Sequence, residues 1–147
     1  MEIHKHFSER DFGYRASYFL SDHDISAPIK VVVTTPATGS YRMAVDVSSH
    51  TTVHELIAEG VAIGAAGTAL TFFNRNRQKA DDCACVIEYG GTYTGGTTIM
   101  EKVELRAEPC VGMLLKQSTS YQITVTSKAD NNYTSVLVWV WQGSGRG

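Results

Sequence analysis

His50 and His54 stand four residues apart and Glu55 follows at once, a spacing that brings two imidazoles to one side of either a helix or a strand. Zinc hydrolysis on a helix needs a second histidine after "HELI", and the chain has Ala58 there. The pair therefore reads as surface histidines near a loop. His4 and His6 fall in the first residues, where chain ends are commonly mobile.

Cys83 and Cys85 could offer two thiolates to zinc, but a tetrahedral site takes four ligands, and Cys110 has only Glu108 near it in sequence. All three cysteines read as small buried hydrophobes, and no metal or other cofactor is expected. Asp22 and Asp24 flank His23 in "SDHDIS", too few oxygens for calcium, so a polar turn before Pro28 is expected.

Hydrolase and phosphate signatures are missing. The chain has no G-x-S-x-G, and "GGTYTGGTT" lacks the lysine of a phosphate loop and reads as a long hairpin turn. "NYT" at Asn132 matches a glycosylation sequon, but in a chain whose start shows no secretory pattern it reads as a turn entering a strand.

The most distinctive stretch is "FFNRNRQ", Phe72 to Gln78. In an extended chain Asn74 and Asn76 face one way and Arg75 and Arg77 the other, giving an amide row and a guanidinium row. Arginines beside aromatic rings could grip phosphate and stack on bases. Asp81 and Asp82 follow closely enough to pair with the arginines, which favours asparagines bonding backbone in an irregular turn and arginines holding carboxylates in the same or a neighbouring subunit. On that reading Asn74, Arg75, Asn76 and Arg77, with Trp139 and Trp141, form an interface and no residue is catalytic.

The elements that must position these residues are strands. "IKVVVTT" is rich in β-branched residues, and "YRMAVDV" alternates Tyr41, Met43, Val45 and Val47 with Arg42, Ala44 and Asp46. "TTPATGS" between them reads as a hairpin connection. Helix and strand compete over "TTVHELIAEG", and context favours strand; "GVAIGAAGTAL" reads as a loop or bulged edge. "SYQITVTS" and "YTSVLVWVWQ" alternate clearly, with "KADNN" as a hairpin loop between them. The second is apolar on both faces, so it should be central or covered.

The fold class expected is all-β: an antiparallel β-sandwich of about eight strands, jelly-roll-like. Residues 1–20 form an arm or first strand, 21–142 the sandwich domain and 143–147 a flexible tail. At 147 residues one domain suffices, and such a chain buries roughly 70% of its unfolded surface without staples. A net charge of −2 argues against a protein devoted to nucleic acid. "MEIHKHFSERDFGYR" carries no apolar core of a leader, no stretch is long enough to cross a bilayer, and an odd three cysteines fit a reducing compartment.

Three segments, "HDISAPIKVVVTTPATGSYRMAV", "AEGVAIGAAGTALTFFNRNRQKAD" and "LKQSTSYQITVTSKADNNYTSVLVWVW", together resemble a family of small tailed-bacteriophage virion proteins. The resemblance spans about residues 20–142, and its most specific part is Gly67, Thr68, Leu70 and Asn74 to Arg77; histidines, cysteines and "MEKVEL" in the middle depart from it. Such proteins are similar to capsid decoration or cement proteins. The resemblance implies a homo-oligomer, dimer or trimer, bound to the major capsid protein on the outer surface of the virion, made in the host cytoplasm, with no direct nucleic acid or membrane partner. A different class remains open: a carbohydrate-binding or receptor-binding fibre-type module using Tyr89, Tyr93, Trp139 and Trp141.

Overall fold

Runs of alternating and β-branched residues build strands along the whole chain, and no helix forms among the described residues. The computed structural model describes residues 13–78, 82–106 and 112–143. The strands are β1 (Gly13–His23), β2 (Ile29–Thr34), β3 (Tyr41–Ala65), β4 (Thr68–Ala69), β5 (Phe73–Asn74), β6 (Val86–Tyr89), β7 (Thr92–Arg106), β8 (Met113–Leu114), β9 (Ser120–Ser127) and β10 (Asn132–Gln142). They form one antiparallel sheet in the order β4-β6-β2-β9-β3-β10-β1-β5, with β7 and β8 also paired to β3, and the sheet curls into a half-barrel.

β3 makes the curl. Its first part, from Tyr41 to Ser49, pairs with β10, and from Val53 to Glu59 it pairs with β9. One strand thus runs through both walls, and the register breaks between Ser48 and Val53. The corner needs its backbone groups satisfied, and Asn132, 1% exposed, does this. Its Oδ1 accepts from the N–H of His50 at 3.1 Å and of Thr51 at 2.9 Å, while its Nδ2 donates to the Thr51 carbonyl at 3.2 Å and to Ser127 Oγ at 3.1 Å. Lys128 N–H donates to the Thr52 carbonyl, so the β9–β10 connection is fastened to the same corner.

Side-chain alternation decides what lies inside. Val136, Val138 and Val140 of β10 join Tyr14 and Ala16 of β1 and Met43 and Val45 of β3 on one wall. Val31 and Val33 of β2, with Tyr121, Ile123 and Val125 of β9, complete the same core from the other. Each buried valine of this kind is worth about 1.5–3 kcal/mol relative to leaving it in water. A second cluster of Val32, Ala58 and Val61, with Tyr93 against it, covers the back of the second wall.

Several connections differ from the expectation. "KADNN" and "TTPATGS" do turn the chain, but β9 and β10 pair with successive parts of β3 rather than with each other, and β2 pairs with β6 and β9 rather than with β3. Turn composition reports that a strand ends and is silent about which strand its neighbour seeks. "GVAIGAAG" is not a loop: β3 continues to Ala65 along β7, with register shifts after Ile57 and Ile63 that agree with the expected bulging. Only Gly90 and Gly91 of "GGTYTGG" form the turn, because β7 begins at Thr92. β10 lies between β3 and β1, the central place its two apolar faces predict. Of the expected arm, residues 1–12 lie outside the described residues, as do 144–147 of the tail.

Candidate functional site

β5 is two residues long and sets the geometry of the site. It pairs with β1 through Tyr14↔Asn74 and Arg15↔Phe73, and Arg75 N–H donates to the Gly13 carbonyl at 2.8 Å. Alternation then turns Asn74 and Tyr14 into the core while Phe73 and Arg15 face out. Beyond Asn74 the chain leaves the sheet in two successive Asx turns: Asn74 Oδ1 accepts from Asn76 N–H at 2.9 Å, and Asn76 Oδ1 from Gln78 N–H at 3.1 Å. The asparagines therefore shape an irregular strand end, as their amides suggested. The expected amide and guanidinium rows do not form, because the extended chain stops at Asn74.

The turns place the arginines over rings. Arg75 lies over Trp139 with its guanidinium carbon 4.3 Å from the ring centre, and Arg15, the register partner of Trp139, stands 5.3 Å from the same ring. Arg77 sits 5.1 Å from the ring centre of Phe73, which is 54% exposed. Trp139 stacks on Trp141 at 6.4 Å and 14°, and Trp141 is buried. Such cation–ring contacts are worth about 0.5–1 kcal/mol at exposed sites and more where water is excluded.

The electrostatics are one-sided. Burial, and then the nearby Arg15 charge, push the Arg75 guanidinium below its ordinary pKa. Arg75 Nη1 is out of solvent without a hydrogen-bond partner. Among the described residues no carboxylate lies within ion-pair distance of Arg15, Arg75 or Arg77. Asp82, expected to pair with these arginines, is exposed and does not do so, while Asp81 lies outside the described residues.

The other candidates scatter. His54 Nε2 lies 2.6 Å from Glu101 Oε2, and the His50 ring meets Tyr133 edge-on at 6.3 Å, so the two histidines have separate partners. Cys83 is half-buried and Cys85 buried; their mutual hydrogen bond holds the Cys83 thiol below its ordinary pKa and pushes Cys85 up. No group of three or more metal-ligating side chains forms among the described residues, and His4, His6, Glu108 and Cys110 lie outside them. Asn132 of the sequon is buried with its amide engaged, so as folded it is no glycan acceptor.

Three features escaped the sequence reading. Arg15 joins the aromatic face although it lies in the segment read as an arm or first strand; the alternation of "YRASYF" would have placed it opposite Tyr14. His23, read as part of a polar turn, is fully buried with Nδ1 2.8 Å from Thr134 Oγ1. Gly67 and Gly91 pack back to back: a Cβ on Gly67 would meet the Tyr89 carbonyl oxygen at 2.1 Å, and one on Gly91 the Ala65 carbonyl oxygen at 2.5 Å. Glu88 ties this crossing down, accepting from Gly67 N–H and, at 2.9 Å, from Tyr93 O–H. Burial, with the Glu88 carboxylate, pushes the Tyr93 phenol up to about 12, against the opposing pull of the Gly91 N–H.

Comparison with family models, with curated proteins and with solved structures found no match to this chain.

Proposed function

We propose that the protein is a structural virion component, a capsid decoration or cement protein that binds the major capsid protein shell and stabilises the head. The observation that carries this reading is the outer face of β5, β1 and β10, where Arg15, Arg75, Arg77, Phe73 and Trp139 gather with no carboxylate of their own among the described residues. Arginine and large aromatic side chains are the residues enriched in buried protein contacts. The resemblance of Gly67, Thr68, Leu70 and Asn74 to Arg77 to a family of phage virion proteins supports the same reading. In it, the curled half-barrel is a jelly-roll-like sandwich whose walls share β3, and Asn74 and Asn76 hold the interface turn in shape. Many copies, themselves dimers or trimers, each add buried area across shell subunits on the outside of the particle, and the shell gains stability by mass action and multivalency. No catalytic step, nucleic acid or membrane enters.

The carbohydrate-binding alternative needs several rings exposed together. Trp141 is buried, Tyr93 is packed on Val32, Ala58 and Val61, and Tyr89 lies against Tyr18 with ring centres 4.4 Å apart, which weighs against it. Titrating the purified protein onto undecorated shells, beside a glycan screen, separates the two: saturable attachment without glycan binding supports the proposal, and glycan binding without attachment refutes it.

A further inference from the structure

The outer face of β1 and β10 has two ends. At one, Arg15 and Arg75 share the Trp139 ring and Arg77 caps Phe73; towards the other, the same faces carry Phe19, 61% exposed, and Tyr133, 54% exposed. Two guanidiniums on one ring repel each other, and the lowered Arg75 pKa reflects burial first and that repulsion second. A fold commonly offsets such a cluster with a carboxylate, yet among the described residues none is in reach of Arg15, Arg75 or Arg77. The described part of the fold therefore leaves the positive charge of this face open to an acidic partner.

We propose that this face is the docking site for an acidic segment of a partner protein, whose adjacent carboxylates engage Arg15 and Arg75 while its apolar side chains cover Phe19 and Tyr133. A guanidinium that lies against a ring keeps N–H groups at its edge, and a planar carboxylate matches that fork with two parallel hydrogen bonds. Trp139 fixes the donors before the partner arrives, so little side-chain entropy is lost on binding. Phosphate is the other anion that fits a guanidinium, but a nucleic-acid path needs a longer run of positive charge than three arginines on a chain of net charge −2. The exposed rings along the same face favour a polypeptide.

The inference rests on the proposed function only for the partner's identity, a shell subunit; recognition of carboxylates stands without it. The test is titration of the full chain with a synthetic peptide of alternating aspartate and leucine, followed by calorimetry and indole fluorescence, with tripolyphosphate and a single-stranded oligonucleotide as the other arms. The expected result is saturable, salt-sensitive peptide binding that shifts the indole emission and weakens about tenfold or more in Arg75→Ala and in Arg15→Gln, which stay folded by circular dichroism. Arg75→Lys, keeping charge without the fork, should lose most of the same affinity. Absence of peptide binding, equal binding by the Arg15 and Arg75 variants, or tighter binding of either phosphate ligand overturns the inference. Peptide binding by a protein that fails to attach to shells leaves this inference standing and removes the proposed function alone.

Discussion

The Arg75 guanidinium lies 4.3 Å from the centre of the Trp139 ring, and it reaches that position because its own N–H is tied to the Gly13 carbonyl at 2.8 Å. A backbone bond at the end of a two-residue strand thus aims a charge at a ring on the strand beyond. Neither residue contributes to the valine core on the opposite face of β10, so the contact can be removed without opening that core. The double substitution Arg75→Ala with Arg77→Ala should lower unfolding free energy by only about 1 kcal/mol, measured by urea titration, while attachment to shells falls sharply. A double variant that attaches like the parent would remove these arginines from the proposed interface.

Asn132 closes four hydrogen bonds at the corner of β3 from a fully buried position. Truncation in Asn132→Ala leaves the His50 and Thr51 N–H groups without that acceptor. The expected loss is about 2–4 kcal/mol in chemical unfolding, large for one polar residue. A loss below about 0.5 kcal/mol would mean that the corner is held by other groups.

His23 gives the fold a pH dependence whose sign follows from its burial. Desolvation lowers its pKa below the ordinary 6.5, so the folded chain binds fewer protons there than the unfolded chain does. The stability it contributes is therefore complete above pH 6.5 and drains away as pH falls below that value towards the lower folded pKa. Unfolding free energies measured from pH 7.5 to 5 should decline, and His23→Gln should flatten the decline. An equal slope in the variant would assign the effect to other groups.

Gly67 is a glycine whose reason is steric. Gly67→Ala drives a methyl group into the Tyr89 carbonyl and should cost about 3 kcal/mol or more. Gly90 has φ +78 with open space around its missing Cβ, so Gly90→Ala should cost only about 1–2 kcal/mol. Thermal melts of the two variants rank them directly, and a milder effect at Gly67 than at Gly90 would contradict the back-to-back crossing.

The strands were legible where neighbours in sequence decide them. Tyr133 to Trp141 alternate against Thr134 to Val140 as the pattern requires, and the Asx turns at Asn74 and Asn76 follow from a short amide beside its own backbone. Partners fixed by distant chain were not legible. Nothing in "TTVHELIAEGVAIGA" announces a 25-residue strand that changes neighbours midway, because the corner depends on Asn132, 81 or more positions away. Asp82, close to the arginines in sequence, does not reach them, whereas the sheet brings Trp139 to Arg75 through β1. His23 looked like a turn residue for the same reason: Thr134 reaches it only when β1 and β10 pair.

The most direct test of the account is to add the purified protein in increasing amounts to undecorated phage shells and to measure bound copies and shell rupture under heat. Saturation at a fixed number of copies per shell subunit, a raised rupture temperature, and loss of both in the Arg75 and Arg77 double variant are the results the account predicts. Shells that stay bare at saturating protein, or that bind it without any gain in rupture temperature, would contradict it.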